Sequence, residues 1–410
     1  MEERDMNDVE SEVRRQLEII TAGTAEVIPE DGLEKILARA LKAQRPLRVK
    51  YGIDPTSPHV HIGHLVPCGK LRDFQDCGHT AVLVIGDYTA RIGDPSGRDA
   101  ERAPLSEDQV ARNMKSYVDQ LYRAVDPNRT EVRYQSEWFA DMPLSDFVHL
   151  SARFSVAQLL AHETFRKRME GDRRLSVHEL LYPMMQAHDS VAIRADVEIG
   201  GTDQKFNCLC GRDLQKALGM ASQVVLTVPL LMGSDGEKMS KSRDNHIPVS
   251  ADAREMIGRI MAISDDLIPQ YIMLASSWSR EDRTALIHGF ESGEEHPRGL
   301  KMRLARNIAS RFHPPDRVAK AAREFQRVFA EGGAPDHIRI FRCDPDTPMD
   351  RVLKAGGLAA STSEARRLIS QGGVTVDGIR VNAFATPVGS LGAGSVILRV
   401  GRRRFVKVVW

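Results

Sequence analysis

Cysteine is scarce in this chain: five in 410 residues, at positions 68, 77, 208, 210 and 343, with no CxxC pair among them. Neither a disulfide framework nor a structural zinc site is indicated by that pattern. No run of about 18 apolar residues occurs, so no membrane span is expected. The opening stretch "MEERDMNDVESEVRRQLEII" is too acidic and too polar for a signal or transit peptide, and a reducing cytoplasm is the expected location. Internal repeats and low-complexity tracts are also missing, and so is a strong overall charge: 57 Lys and Arg stand against 56 Asp and Glu.

The near-neutral total hides an uneven distribution. From Arg351 to Trp410 there are ten Lys and Arg against two Asp and Glu, which leaves 47 against 54 in the rest of the chain. A small basic module on a mildly acidic body points to a polyanionic partner at the C-terminal end. A chain of this length is expected to form two or three domains with a full-sized core.

Residues 47–53, "LRVKYGI", alternate in the manner of a short strand, and "GHLVPCGKLRDFQDCG" follows with helical spacing of Leu65, Leu71 and Phe74. "TAVLVIGDY" and "QVVLTVPLLMG" are apolar runs of the kind found in buried parallel strands, and "ADVEIGGTDQ" repeats a strand, glycine loop and helix order. This alternation predicts an α/β domain over residues 1–247, with a Rossmann-like doubly wound parallel sheet. A helical insertion is expected between Ala111 and His188. Helices are expected over 248–332, a linker over 333–346, and a small α+β domain over 347–410.

Two short stretches carry chemistry. In "DPTSPHVHIGHL" His61, Gly63 and His64 lie where a strand gives way to a helix, and there backbone N–H groups and the helix dipole attract anions. Glycine at 63 would let a ligand approach the backbone. On the residues alone, two imidazoles can hold a metal, shuttle a proton or grip an anion. A metal would need a third ligand, and neither His59 nor His79 fits a recognised spacing, so no metal site is expected. In "GSDGEKMSKSRDN", Lys238 and Lys241 follow Gly233 and Gly236 in a loop able to close over a ligand.

HIGH followed by KMSKS, each after a strand of one α/β domain, resembles the paired signature of class I aminoacyl-tRNA synthetases. The resemblance implies that His61, His64, Lys238 and Lys241 hold ATP phosphates and stabilise charge while a carboxylate attacks the α-phosphorus, work done by positioning and electrostatics. It places Arg98 and Arg102 of "GDPSGRDAER" at the pyrophosphate, and Asp54 and Thr56 at the opening of the phosphate-side loop. It also implies Mg²⁺ accompanying ATP, with no tightly bound cofactor.

"LLYPMMQAHDSVAIRADVEIGGTDQKFN" resembles the tyrosyl branch of that family. Steps of four and three put Tyr182, Gln186 and Asp189 on one helical face. By resemblance, Tyr182, Gln186 and Asp94 surround the substrate ammonium, Asp189 accepts from the phenol, Gly201 and Asp203 meet the ribose, and Gln204 lies near the substrate carboxylate. A buried carboxylate in that slot is left unsatisfied by phenylalanine and so favours tyrosine. One departure stands out: many bacterial tyrosyl enzymes read Tyr-Cys-Gly-Phe-Asp-Pro where this chain reads "KYGIDP", with Lys50 at the place of a phenol-binding tyrosine. Tyr51 points to the opposite side of the strand and does not replace it. "GDYTARIGDPSGR" and "GGTDQKFN" match a second bacterial branch in which lysine is usual.

"LKAGGLAASTSEARRLISQGGVTVDGIRV" resembles the S4 RNA-binding domain, which implies phosphate-backbone contacts from Lys354, Arg366, Arg367 and Arg380. Together these resemblances imply a bacterial tyrosyl-tRNA synthetase type of enzyme: activation of L-tyrosine by ATP, transfer to tRNA(Tyr), and a homodimer. Two rivals stay open on the residues alone. One is a nucleotidylyltransferase using HxGH on a small phosphorylated substrate; the other is an RNA-binding protein on a retired synthetase fold.

Overall fold

A computed structural model of the chain describes residues 2–96, 104–240, 243–329, 338–401 and 404–410, with side chains from residue 7 onward. The chain divides into two units, one of Met1–Asp252 with Arg259–Phe312 and one of Ala253–Gly258 with His313–Trp410.

The first unit is built on six strands: β1 (Glu26–Ile28), β2 (Arg48–Ile53), β3 (Thr80–Ile85), β4 (Thr130–Tyr134), β5 (Val197–Gly201) and β6 (Val224–Val228). Their order in the sheet is β1-β6-β5-β2-β3-β4. β2 to β6 run parallel, and β1 adds an antiparallel edge beside β6. The apolar runs behave as expected of strands covered on both faces: every residue of β5 and β6 is buried. The chain builds outward through β2, β3 and β4, then crosses back to add β5 and β6 on the other side. The order therefore reverses between β2 and β5, and a ligand crevice belongs at their carboxyl ends.

β4 lies inside the stretch expected to be helical. As an edge strand it is only half-buried throughout, so "TEVRY" lacks the apolar run that marks β3. Around it the insertion is helical, ending in a helix over Val177–Ala192 that opens with a Ser176–Glu179 capping box. Helices Ile268–Ala275, Arg280–Glu291 and Pro297–Ala309 complete this unit.

In the second unit, helix Pro315–Phe329 precedes a five-stranded sheet: β7 (Ile340–Arg342), β8 (Val374–Val376), β9 (Ile379–Arg380), β10 (Ser395–Val400) and β11 (Arg404–Val409). The order is β7-β11-β10-β8-β9, and β7, within the stretch read as linker, runs parallel to β11. Alternate residues of β10 are buried, and Val396, Leu398 and Val400 pack with Val352, Leu353 and Ile369 of the helices Met349–Ala355 and Thr362–Ser370.

Candidate active site

A cavity of about 500 Å³ opens at the switch point. Its lining includes Asp54 after β2, Asp189 and Gln186 from helix Val177–Ala192, Gly201 at the end of β5 and Asp203 just beyond it, and His61, His64 and Lys238. Most of the sequence-derived candidates thus meet in one place: Thr56, Gly63, Asp94, Tyr182 and Gln204 line the same cavity. Arg98, Arg102 and Lys241 lie outside the described residues.

At one end the HxGH turn coils into a single 3-10 turn over Ile62–His64. The His61 backbone N–H donates to His64 Nδ1 at 3.2 Å, and the two rings stack with centroids 3.7 Å apart. Glycine at 63 also suits that stack, because a Cβ there would sit 3.0 Å from His61 Nδ1 and press on the ring. The segment after the KMSKS motif is stitched to this turn. Ile62 N–H donates to Ile247 O at 3.0 Å, and Val249 N–H to Val60 O at 2.9 Å. His246, which the sequence reading did not single out, presents its ring edge-on to His61 at 6.1 Å. Met239 of KMSKS is buried and also lines the cavity, while the Lys238 ammonium pairs with Asp203. Gly233 lets the loop fold onto Asn245, whose amide donates to Asp235 at 2.7 Å and whose oxygen accepts from the Ser240 N–H at 2.7 Å.

The loop before HxGH is held from the insertion, by partners that sequence spacing could not reveal. Asn113 donates to Pro55 O at 2.9 Å, the Tyr117 hydroxyl to Asp54 O at 3.3 Å, and Gln120 to Pro58 O at 2.9 Å.

At the other end Asp189 is buried, 3% exposed. Its Oδ2 accepts from Gln135 Nε2 at 2.9 Å and its Oδ1 from Trp138 Nε1 at 3.1 Å. Burial pushes its carboxyl up to about 7, against the pull of the Lys50 charge and the Gln135 donor. A carboxylate has more acceptor sites than two donors fill, so Asp189 retains capacity for a further hydroxyl. Gln135 is itself oriented, since its oxygen accepts from the Thr89 N–H at 2.9 Å. Thr89 Oγ1 donates to Asp54 Oδ1 at 2.7 Å, and the Tyr182 hydroxyl donates to Asp54 Oδ2 at 3.0 Å. Gly86 must be glycine here, because a Cβ would fall 2.0 Å from Asp54 Oδ1. Burial, and then the Asp54 charge, raise the Tyr182 phenol well above its ordinary range.

Between the two ends, Asp94 accepts from Gln204 Nε2 at 2.7 Å and from the Ser96 N–H at 2.9 Å. Burial, with the Asp203 charge second, raises its carboxyl above the ordinary range. Gln135, Trp138, Thr89 and Glu198 escaped the sequence reading. None of them left a sign in the sequence: even Gln135, which follows directly on a parallel strand, follows edge strand β4, which has no apolar run to mark it. Lys50 does not line the cavity; it is fully buried and paired with Glu198 at 2.8 Å, while Tyr51 reaches the cavity wall from the same strand. Among the described residues no group of three or more His, Cys, Asp or Glu could hold a metal ion, and no helix is long and apolar enough to cross a membrane.

In the second unit Lys354, Arg367 and Arg380 are exposed. Arg366 is committed in part to the fold: its Nε donates to the buried Asp350 at 2.7 Å, and its guanidinium lies 4.9 Å from the Phe384 ring centre.

The family described as "tRNA synthetases class I (W and Y)" matches residues 42–330, and the S4 domain matches residues 348–390. The chain belongs to this family of class I tRNA synthetases. Over nearly its whole length it is similar to the tyrosine–tRNA ligase of Moorella thermoacetica, 43% identical over 402 residues that cover 98% of this chain and 97% of that protein. The tyrosine–tRNA ligase of Oleidesulfovibrio alaskensis is 44% identical over 398 residues, covering 96% and 98%. The fold is shared with a C-terminally truncated mitochondrial tyrosyl-tRNA synthetase of Aspergillus nidulans, at a TM-score of 0.64 and 20% identity over 80% of this chain and all of that one. It is shared too with the tyrosyl-tRNA synthetase of Archaeoglobus fulgidus solved with L-tyrosine, at 0.61 and 21% over 76% and 99%.

Proposed function

We propose that this chain is a tyrosine–tRNA ligase, which joins L-tyrosine to the α-phosphate of ATP and transfers the tyrosyl group to the 3′ end of tRNA(Tyr). The observation that carries this reading is the single cavity that joins the HxGH and KMSKS segments to a buried carboxylate, Asp189, with acceptor capacity left for a phenol.

In this reading the tyrosine ring enters with its hydroxyl toward Asp189 and its ammonium among Tyr182, Gln186 and Asp94. Its carboxylate lies by Gln204. ATP enters as its Mg²⁺ complex, the cation carried by the phosphates, which suits its reluctance to shed water for a protein cage. Gly201 lets the nucleotide approach the backbone, and Asp203 turns from Lys238 to the ribose hydroxyls while Lys238 takes up phosphate oxygens. When the carboxylate oxygen attacks the α-phosphorus, the bond to pyrophosphate breaks and negative charge moves onto the departing phosphates. His61, His64, Thr56, Lys238, Lys241, Arg98 and Arg102 are the groups assigned to that charge, a task of placement in which no side chain becomes covalently attached. Lys354, Arg366, Arg367 and Arg380 supply phosphate-backbone contacts to tRNA, with Arg366 also serving Asp350. By likeness to the family, a homodimer and a cytoplasmic location are assigned.

The test is ATP–pyrophosphate exchange by the purified protein with each amino acid in turn. Exchange that depends on tyrosine is the expected result. Faster exchange with phenylalanine or tryptophan contradicts the assignment of substrate. Pyrophosphate release without any amino acid favours a nucleotidylyltransferase, and tight RNA binding without adenylate formation favours a retired synthetase.

A further inference from the structure

Lys50 and Glu198 are register partners on the neighbouring strands β2 and β5, and both are buried, at 0% and 1% exposure. Lys50 Nζ donates to Glu198 Oε1, to the Gln186 backbone carbonyl and to Ser190 Oγ, each at 2.8 Å. Those acceptors match the three hydrogens of an ammonium. Glu198 in turn accepts from Gln186 Nε2 at 3.2 Å, from Ser190 Oγ at 3.2 Å and from Gln223 Nε2. Gly211 leaves the room this needs, since a Cβ there would lie 2.9 Å from Ser190 Oγ and 3.2 Å from Glu198 Oε2. A buried ion pair is often replaceable by apolar side chains of similar volume at no loss of stability, so its presence directly behind the cavity-lining Gln186 calls for another explanation.

What the pair fixes is a carboxamide. An ionised carboxylate only accepts, so the Gln186 nitrogen must face Glu198 and the Gln186 oxygen must face away from it. Gln186 lines the cavity, and its Oε1 accepts no hydrogen bond among the described residues. The Lys50 bond to the Gln186 carbonyl pins the same residue from its backbone side.

We propose that Lys50 and Glu198 are positioning residues of the amino-acid subsite, which hold the Gln186 carboxamide with its oxygen toward the cavity as an acceptor for the substrate ammonium. The proposal rests on the reading above in which Gln186 meets that ammonium. It gives Lys50 a role at the opposite end of the substrate from the phenol-binding tyrosine that many bacterial members carry at this place.

The test sets L-tyrosine against 3-(4-hydroxyphenyl)propionate, which lacks the ammonium, using the full chain. K50M/E198Q removes both charges together, and E198Q alone keeps a side chain of the same size that can donate as well as accept. In both variants the KM for L-tyrosine in pyrophosphate exchange rises about tenfold, as for one misdirected hydrogen bond to a charged group. All constants are measured in mild alkali, where Asp189 is ionised and the Lys50 and Glu198 charges no longer decide its state; there the KM for ATP and the inhibition constant of the desamino compound stay at their wild-type values. Combining K50M/E198Q with Q186L gives no rise beyond that of Q186L alone. The proposal is overturned if the desamino compound loses affinity in step with tyrosine, or if the effects add in the triple variant, since either result marks the pair as general scaffolding. A Q186L protein with the wild-type KM for tyrosine removes Gln186 from the ammonium site and the proposal with it. That outcome is read on the single variant, apart from any change at Lys50 or Glu198.

Discussion

The two ends of the cavity follow opposite plans. Around Asp189 the partners are side chains, Gln135 and Thr89 buried and Trp138 partly so: Trp138 and Gln135 donate to the carboxylate, and Thr89 orients Gln135. Around His61 the groups are stacked rings, backbone N–H donors and a half-exposed lysine, whose side chain keeps 48% of its exposure. The difference matches the two tasks assigned here. Telling one side chain from another needs a buried acceptor that is costly to leave unsatisfied. Stabilising charge on phosphates that arrive and depart needs cations that can move in and out of contact.

The sharpest way to break this contrast is Lys238→Ala. It should lower kcat for tyrosine-dependent pyrophosphate exchange by about 10²–10³-fold, the range for removing one donor from developing charge, with the KM for tyrosine unchanged. Asp189→Ala should act in the opposite sense, lowering kcat/KM for tyrosine by about 10²-fold and narrowing its lead over phenylalanine, with the KM for ATP unchanged. If either substitution moved the other substrate's KM, the two ends would not be separate devices.

A smaller effect follows from protons. Burial holds the Asp189 carboxyl at about 7, with Lys50, Gln135 and Trp138 pulling it down and Glu198 pushing it up. Because the fold favours the neutral acid, the ionised acceptor is present above that value and is lost as the pH falls through it. The kcat/KM for tyrosine should therefore be level in mild alkali and fall about tenfold per unit below about pH 7. In Asp189→Asn this limb should vanish, which a pH series on both proteins would show. The smallest effect belongs to Thr89→Val at the joint between the ends. Loss of one neutral-donor hydrogen bond to Asp54 should raise the KM for tyrosine by roughly two- to tenfold.

What could be read from the sequence was what lies close along the chain. HxGH, KMSKS and the Tyr182–Gln186–Asp189 face are each set by local spacing, and the structure brings all three to one cavity. The parallel strands were legible because burial on both faces leaves an apolar run, and edge strand β4 was not, because its half-buried residues leave none. Gln135, Trp138 and Glu198 were invisible for a different reason: their meaning lies in partners such as Asp189 and Lys50, which are distant in sequence and meet only across the sheet. Lys50 was visible as a departure, yet its role needed Glu198 from the next strand. Arg366 was read for its charge alone, and its bond to buried Asp350 depends on a helix packed beside it.

The central claim is that one cavity reads a phenol at Asp189 and a nucleotide at the HxGH turn. A crystal structure with a non-hydrolysable tyrosyl-adenylate analogue tests it most directly. The account predicts the phenol oxygen within about 3 Å of Asp189, with the α-phosphate group beside His61, His64 and the KMSKS loop. A phenol turned away from Asp189, or an adenylate bound elsewhere than between Asp203 and the HxGH turn, would contradict it.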